Sequence, residues 1–172
     1  SVEIMDIGAM IAGEDRYRTI VDQGLARITG FEPNPVKLSE LNANAGPHQY
    51  YAHVLGDGNP GTFYQTRYPG CSSLFEPNGD LINMFAAIGA EPGYGNFAVD
   101  KTFPTETVRL DDLTEVTAPD FLKLDIQGAE HMVLENARKT ISDTLVIQTE
   151  AEFVEIYKNQ PLFGDLQKLL TA

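Results

Sequence analysis

The sequence holds one cysteine, few cations and no run of apolar residues long enough to cross a bilayer. Each shortage excludes something. Cys71 has no second thiol with which to close an internal disulfide, so the fold rests on its core, and a lone thiol fits a reducing, cytoplasmic compartment. Without a stretch of about 18 apolar residues, neither a spanning helix nor a membrane partner is expected. Lys and Arg number 12 against 25 Asp and Glu, giving a net charge of -13. Such a field repels nucleic acid and anionic lipid and suits a neutral or cationic ligand. Repeats, low-complexity tracts and long linkers are missing too. His48, His53 and Cys71 have no partner at metal-ligand spacing, which argues against a zinc site.

What is present reads as one domain, 1–172, with 42% hydrophobic and 22% charged residues. Short apolar runs alternate with segments of helical period, which predicts an α/β domain on a mostly parallel sheet. Strands are expected at Val2 to Ile7, Arg27 to Phe31, Tyr50 to Leu55, Phe121 to Ile126 and Thr144 to Gln148. Helices are expected within Asp15 to Gln23, over residues 129 to 140, and through Leu162, Leu166, Leu169 and Leu170. Another starts at Asn34 as N-cap and Pro35 as first helical residue, buries Val36, Leu38, Leu41 and Ala45, and ends at Gly46-Pro47. Thr62 to Tyr64 reads as a hairpin arm, and residues 79 to 105 as mostly loop with a short strand near Ala98 to Lys101. A strand begins directly after Ser1, and the chain stops inside a helix where such a sheet would continue. The expectation is a domain truncated at both ends and lacking its C-terminal strands.

In open α/β sheets, ligands bind beyond the carboxyl ends of the strands. Those ends carry Asp6, Glu32, Asp57, Asp125 and Glu150. Any one of them could simply cap a helix, but five at one edge require something cationic among them. The first glycine turn narrows the ligand. Gly8 and Gly13 have phosphate-loop spacing, yet Glu14 and Asp15 stand where Lys and Ser or Thr are needed. Met10 occupies the place of the second glycine of a dinucleotide fingerprint. Glu32, at the end of the second strand, can accept hydrogen bonds from both hydroxyls of a ribose. A nucleoside with positive charge and no phosphate meets all three conditions, and S-adenosylmethionine is one.

Blocks of sequence also resemble a known family. VRLDDLT at Val108 to Thr114 and PDFLKLDIQGAE at Pro119 to Glu130 resemble FkbM-type S-adenosylmethionine-dependent methyltransferases. So do MDIGA at Met5 to Ala9, GFEPNP at Gly30 to Pro35 and QTE at Gln148 to Glu150, all in family order. The resemblance implies the class I methyltransferase fold, a Rossmann-like sheet with helices on both faces. It also implies methylation of a hydroxyl on a small molecule or glycan. It places Asp6, Gly8 and Ala9 in the first cofactor loop, Glu32 on the ribose, Asp57 near the adenine edge, and Asp125 beside the methionine part. The chain departs from the family pattern at Met10, Ala12 and Gln127.

A hydroxyl acceptor needs a base, and Asp125, His131 and Glu150 are the candidates. The start of a helix favours a neutral imidazole, which is the form a base requires of His131. Lys123, two residues from Asp125, is expected in a structural ion pair with a neighbouring acid. Asp111 and Asp112 read as a solvated or capping pair more readily than a magnesium site. Phe63, Tyr64 and Tyr68 read as core or as the lining of an acceptor pocket. Two alternatives stay open, a non-catalytic nucleoside-binding relative and an NAD-dependent oxidoreductase. The oligomeric state is not legible.

Overall fold

A computed structural model describes residues 1–9, 16–85 and 95–171. In chain order the elements are β1 (Val2–Ile7), α1 (Arg18–Asp22), β2 (Ala26–Phe31), α2 (Pro35–Ala43), β3 (Gln49–Tyr51), β4 (Pro60–Thr66), α3 (Gly79–Ile82), β5 (Val99–Glu106), β6 (Phe121–Leu124), α4 (Glu130–Glu135), β7 (Val146–Thr149) and α5 (Phe163–Thr171). Five strands form one parallel sheet in the order β3-β2-β1-β6-β7. The chain builds outward from β1 on one side, then returns to β6 on the other, so a switch point lies between β1 and β6. This is the mostly parallel α/β sheet that the alternation of apolar runs predicts, in the Rossmann-like form that the family resemblance implies.

Strand alternation explains how both faces are covered. Met5, Ile7, Phe31, Leu122 and Leu124 point to one side, where they pack with Val133 and Leu134 of α4 and Leu166 of α5. Ile4, Ala26 and Ile28 point to the other, against Tyr17 and Ile20 of the α1 region. Asp6 also points there, in register with Gly30 and Lys123.

Outside the main sheet, β4 and β5 pair as an antiparallel ribbon with Phe63 opposite Phe103. Thr62 to Tyr64 thus lies in an antiparallel strand, but its partner follows a long connection over residues 67–98 in place of the expected hairpin turn, and residues 99–106 form a longer strand than the sequence suggests. All of β5 except Thr105 is exposed, so it shows no apolar alternation. The third strand is shorter than expected. Thr29 to Phe31 offer a ladder to Gln49 to Tyr51, and Leu55 instead bridges Val108.

Helical expectations also needed correction in two places. Asn34 does cap α2, accepting from Val36 N at 3.0 Å and Lys37 N at 3.2 Å. Val36 nevertheless points outward, 67% exposed, and α2 buries no residue fully. The helix expected over residues 129 to 140 stops at Glu135. Beyond it the Asp111 carboxylate accepts from Lys139 N at 3.0 Å and Thr140 N at 2.7 Å, donors a continued helix would use internally. Asp111 is therefore a capping acid. The sheet ends at β7, whose outer edge is unpaired among the described residues and is flanked by exposed Leu145, Val146 and Phe153. Among the described residues no helix is long and apolar enough to cross a membrane.

Candidate active site

The carboxyl ends of β1, β2, β6 and β7 open on a cavity of about 710 Å³, lined by Gly8, Glu32, Lys123, Asp125, Gln127 and Glu150 among others. The β4–β5 ribbon contributes Phe63, Gln65, Phe103 and Thr105 to the same cavity. It lies at the switch point, where the loops after β1 and β6 diverge and leave a crevice.

Gly8 locks those two loops together. Its φ of +85° lies in the left-handed region, and a Cβ there would stand 2.1 Å from the Asp125 carbonyl oxygen. Gly8 N and Ala9 N both donate to Phe31 O, at 3.1 and 3.0 Å, while Asp125 N donates to Ile7 O at 3.0 Å. Beneath this loop Lys123 Nζ donates to Asp6 Oδ1 at 2.9 Å, and the Tyr17 hydroxyl donates to Asp6 Oδ2. The lysine and aspartate side chains are 12% and 4% exposed. The ion pair expected of Lys123 is present, and its partner is Asp6. Asp6 and Ala9 are buried and support the loop without lining the cavity.

Glu32 follows β2 directly and is buried. Its Oε1 accepts from Asn34 N at 2.7 Å, which fixes the carboxylate against the start of α2. Among the described residues its second oxygen has no donor. Burial pushes the Glu32 carboxyl above its ordinary range, against the Asn34 N–H and the charge of Lys37, which favour the ionised form.

The loop after β6 is the most heavily engineered part of the site. Gln127 has φ +58° and Gly128 φ +100°, a reversal that turns the Gln127 side chain toward both acids. Gln127 Nε2 donates to Asp125 Oδ1 at 2.9 Å and to Glu150 Oε2 at 3.0 Å. Its Oε1 lies 3.0 Å from the Tyr157 hydroxyl, which also lies 2.9 Å from Cys71 O. One neutral amide therefore holds two carboxylates at a fixed spacing. Burial and the nearby Asp125 raise the Glu150 pKa. Below, the Glu130 carboxylate accepts from Ile126 N at 2.9 Å and Gly128 N at 2.8 Å. Burial pushes Glu130 up to about 7 even so. The Ser73 hydroxyl donates to Gln127 O at 2.6 Å and, since Tyr64 and Ser73 exchange backbone hydrogen bonds, ties the ribbon to this loop.

Besides Asp6 and Ala9, three residues singled out in the sequence for the site, Asp57, Tyr64 and His131, do not line the cavity. The Asp57 carboxylate accepts from Asn59 N and Nδ2, each at 3.0 Å, in a closed turn that lowers its pKa. His131 lies on α4 away from the cavity lining, and among the described residues no hydrogen bond orients its ring. Met10, Ala12, Gly13, Glu14 and Asp15 lie outside the described residues. Sequence reasoning missed the clamping role of Gln127 and the loop-holding role of Glu130. It also missed His53, which lines the cavity and stacks on Tyr51 with centroids 6.0 Å apart. A Gln-Gly pair two residues after the strand-end Asp125 is the one local sign of the reversal.

The chain is 26% identical over 164 residues to the 2-O-methyltransferase NoeI of Sinorhizobium fredii, in an alignment covering 91% of this chain and 66% of that protein. It thus spans just under two thirds of this relative's length. No solved structure matches the chain significantly. Residues 6–172, from β1 through α5, match the methyltransferase FkbM domain, and the chain belongs to that family.

Proposed function

We propose that the cavity binds S-adenosylmethionine along the carboxyl ends of β1, β2 and β6. Its methyl group would pass to a hydroxyl oxygen of a small molecule or glycan. One observation carries this: in a chain of the FkbM methyltransferase family, a cavity at the switch point gathers Gly8, Glu32, Asp125 and Glu150. The similarity to a 2-O-methyltransferase favours oxygen as the accepting atom.

The residues present fit the cofactor. Gly8 brings bare backbone to the cavity wall where a side chain would collide with Asp125 in the loop after β6. Glu32 holds one oxygen on Asn34 N and keeps the other for a ribose hydroxyl. Asp125 and Glu150 offer negative charge to a sulfonium or an ammonium, and Gln127 fixes their spacing. Bound there, S-adenosylmethionine would supply an electrophilic methyl group for the acceptor oxygen. Asp6 supports the first loop through Lys123 and Tyr17, and Ala9 continues its backbone. Glu150 is assigned the base that takes the hydroxyl proton, because its raised proton affinity brings it closer to the working pH. Asp125 orients the reacting end, and orientation is the larger part of what such a displacement needs from a protein. Asp57 and His131, which do not line the cavity, are given no part in this scheme.

Calorimetric titration with S-adenosylhomocysteine, with NAD as control, tests the reading. Saturable binding of the first alone is expected. Silence toward it, or tighter binding of NAD, refutes it.

A further inference from the structure

The cavity has two chemically different walls. The strand ends supply the carboxylates of Glu32, Asp125 and Glu150, whereas the four ribbon residues that line it, Phe63, Gln65, Phe103 and Thr105, are all uncharged. Phe63 and Phe103 are direct cross-strand partners with ring centroids 5.3 Å apart and planes inclined by 32°. Two residues along each strand, Gln65 and Thr105 fall on the same face. Neither ring belongs to a core cluster, and Phe103 stays 42% exposed. Among the described residues the side chains of Gln65 and Thr105 make no hydrogen bond.

Two rings turned to a cavity, flanked by unpartnered groups that both donate and accept, match one kind of ligand. A pyranose presents a face of polarised C–H bonds, which suits the electron-rich faces of the rings. Its rim of hydroxyls matches an amide and a hydroxyl that can each donate and accept. A flat aromatic alcohol would bury Gln65 and Thr105 without partners. None of the four ribbon residues that line the cavity carries a charge to pair with a charged acceptor. The ribbon is also held in place, because Ser73 pairs with β4 and fastens to Gln127 O in the loop that carries Asp125.

We infer that the β4–β5 ribbon is the acceptor platform and takes a neutral sugar unit, its ring on Phe63 and Phe103 and its hydroxyls on Gln65 and Thr105. The inference rests on the methyltransferase reading for the identity of the second ligand, but sugar binding is measured separately from it. Saturation-transfer NMR on the full chain with methyl glycosides of glucose, galactose and mannose should show saturation of ring C–H protons. Glucuronic acid and 4-methylphenol are the comparators and should show little. Phe103→Ala should reduce glycoside affinity about fivefold or more, while S-adenosylhomocysteine titrates as in the parent chain. Thr105→Val, nearly isosteric on an outlying ribbon, repeats the test where the ring deletion disturbs folding. Saturation of 4-methylphenol in place of the glycosides overturns the inference, as does glycoside binding that neither variant changes. Glycoside binding without S-adenosylhomocysteine binding supports the platform and refutes the cofactor reading.

Discussion

Replacing Gly8 with alanine probes how the first loop packs on the loop after β6. Two effects add. At φ +85° an L side chain costs about 1 to 2 kcal/mol. The new Cβ would also lie 2.1 Å from the Asp125 carbonyl oxygen and 3.3 Å from Ile126 Cγ2. A carbonyl cannot rotate aside as a side chain can, so one of the two loops must move, an overpacking distortion of about 1 to 3 kcal/mol. The expected total is about 2 to 5 kcal/mol. At roughly 2 to 4 °C per kcal/mol for a domain of this size, the unfolding midpoint falls by about 4 to 20 °C. Gly24→Ala is the control, because Gly24 has φ +70° and nothing within 4 Å of its added Cβ. That variant carries the backbone effect alone. Urea and thermal unfolding of both, in one buffer, give the contact effect as the difference. If Gly8→Ala is no more destabilising than Gly24→Ala, the close approach to Asp125 is not the constraint argued above.

Three further outcomes are expected. Glu32→Ala should weaken S-adenosylhomocysteine binding by about 1 to 3 kcal/mol in calorimetry, and unchanged affinity in a folded variant removes the ribose assignment. Lys123→Met leaves the buried Asp6 without its lysine and should cost about 3 to 5 kcal/mol in urea unfolding. Adding Asp6→Asn should recover part of that loss, and a purely additive double variant would contradict the pairing. Glu130 releases its proton near pH 4.5 when unfolded and near 7 when folded. The native state therefore holds the extra proton between those values. Stability falls as pH rises across that window, by up to about 1.4 kcal/mol per unit, and levels off above it. Glu130→Gln should flatten that part of the curve of urea midpoint against pH, and an unaltered slope would refute the assignment.

The parallel strands were legible because burial on both faces writes itself as apolar runs, and β2 and β6 lie within a residue or two of where those runs stand. Asn34 and Pro35 were legible because capping is local. What failed was decided at long range. The helix after Gly128 ends early because Asp111, 28 residues upstream of Lys139, takes the backbone donors beyond Asn136. Ala137 is nevertheless fully buried, so its apolar period was real while the inferred helix was too long. The β5 strand was hidden because a two-stranded ribbon with almost every residue exposed carries no alternation. Among the strand-end acids, Glu32, Asp125 and Glu150 reach the cavity, but Asp6 is held by Lys123 and Asp57 by its own turn. The turn that holds Asp57 is local, through Asn59 two residues on, whereas the Lys123 that holds Asp6 comes from 117 residues away and leaves no local sign.

Among the described residues β7 pairs on one side only, with β6, and Leu145, Val146 and Phe153 stand exposed beside it. An open strand edge can pair with another chain, but two copies each carrying a net -13 repel before such edges meet. That repulsion reaches about 8 Å at physiological ionic strength and about 3 Å at 1 M. Concentrated salt, by collapsing this range, should turn a dispersed chain into an associating one. Ionic strength is therefore the variable that should move any self-association of this acidic chain.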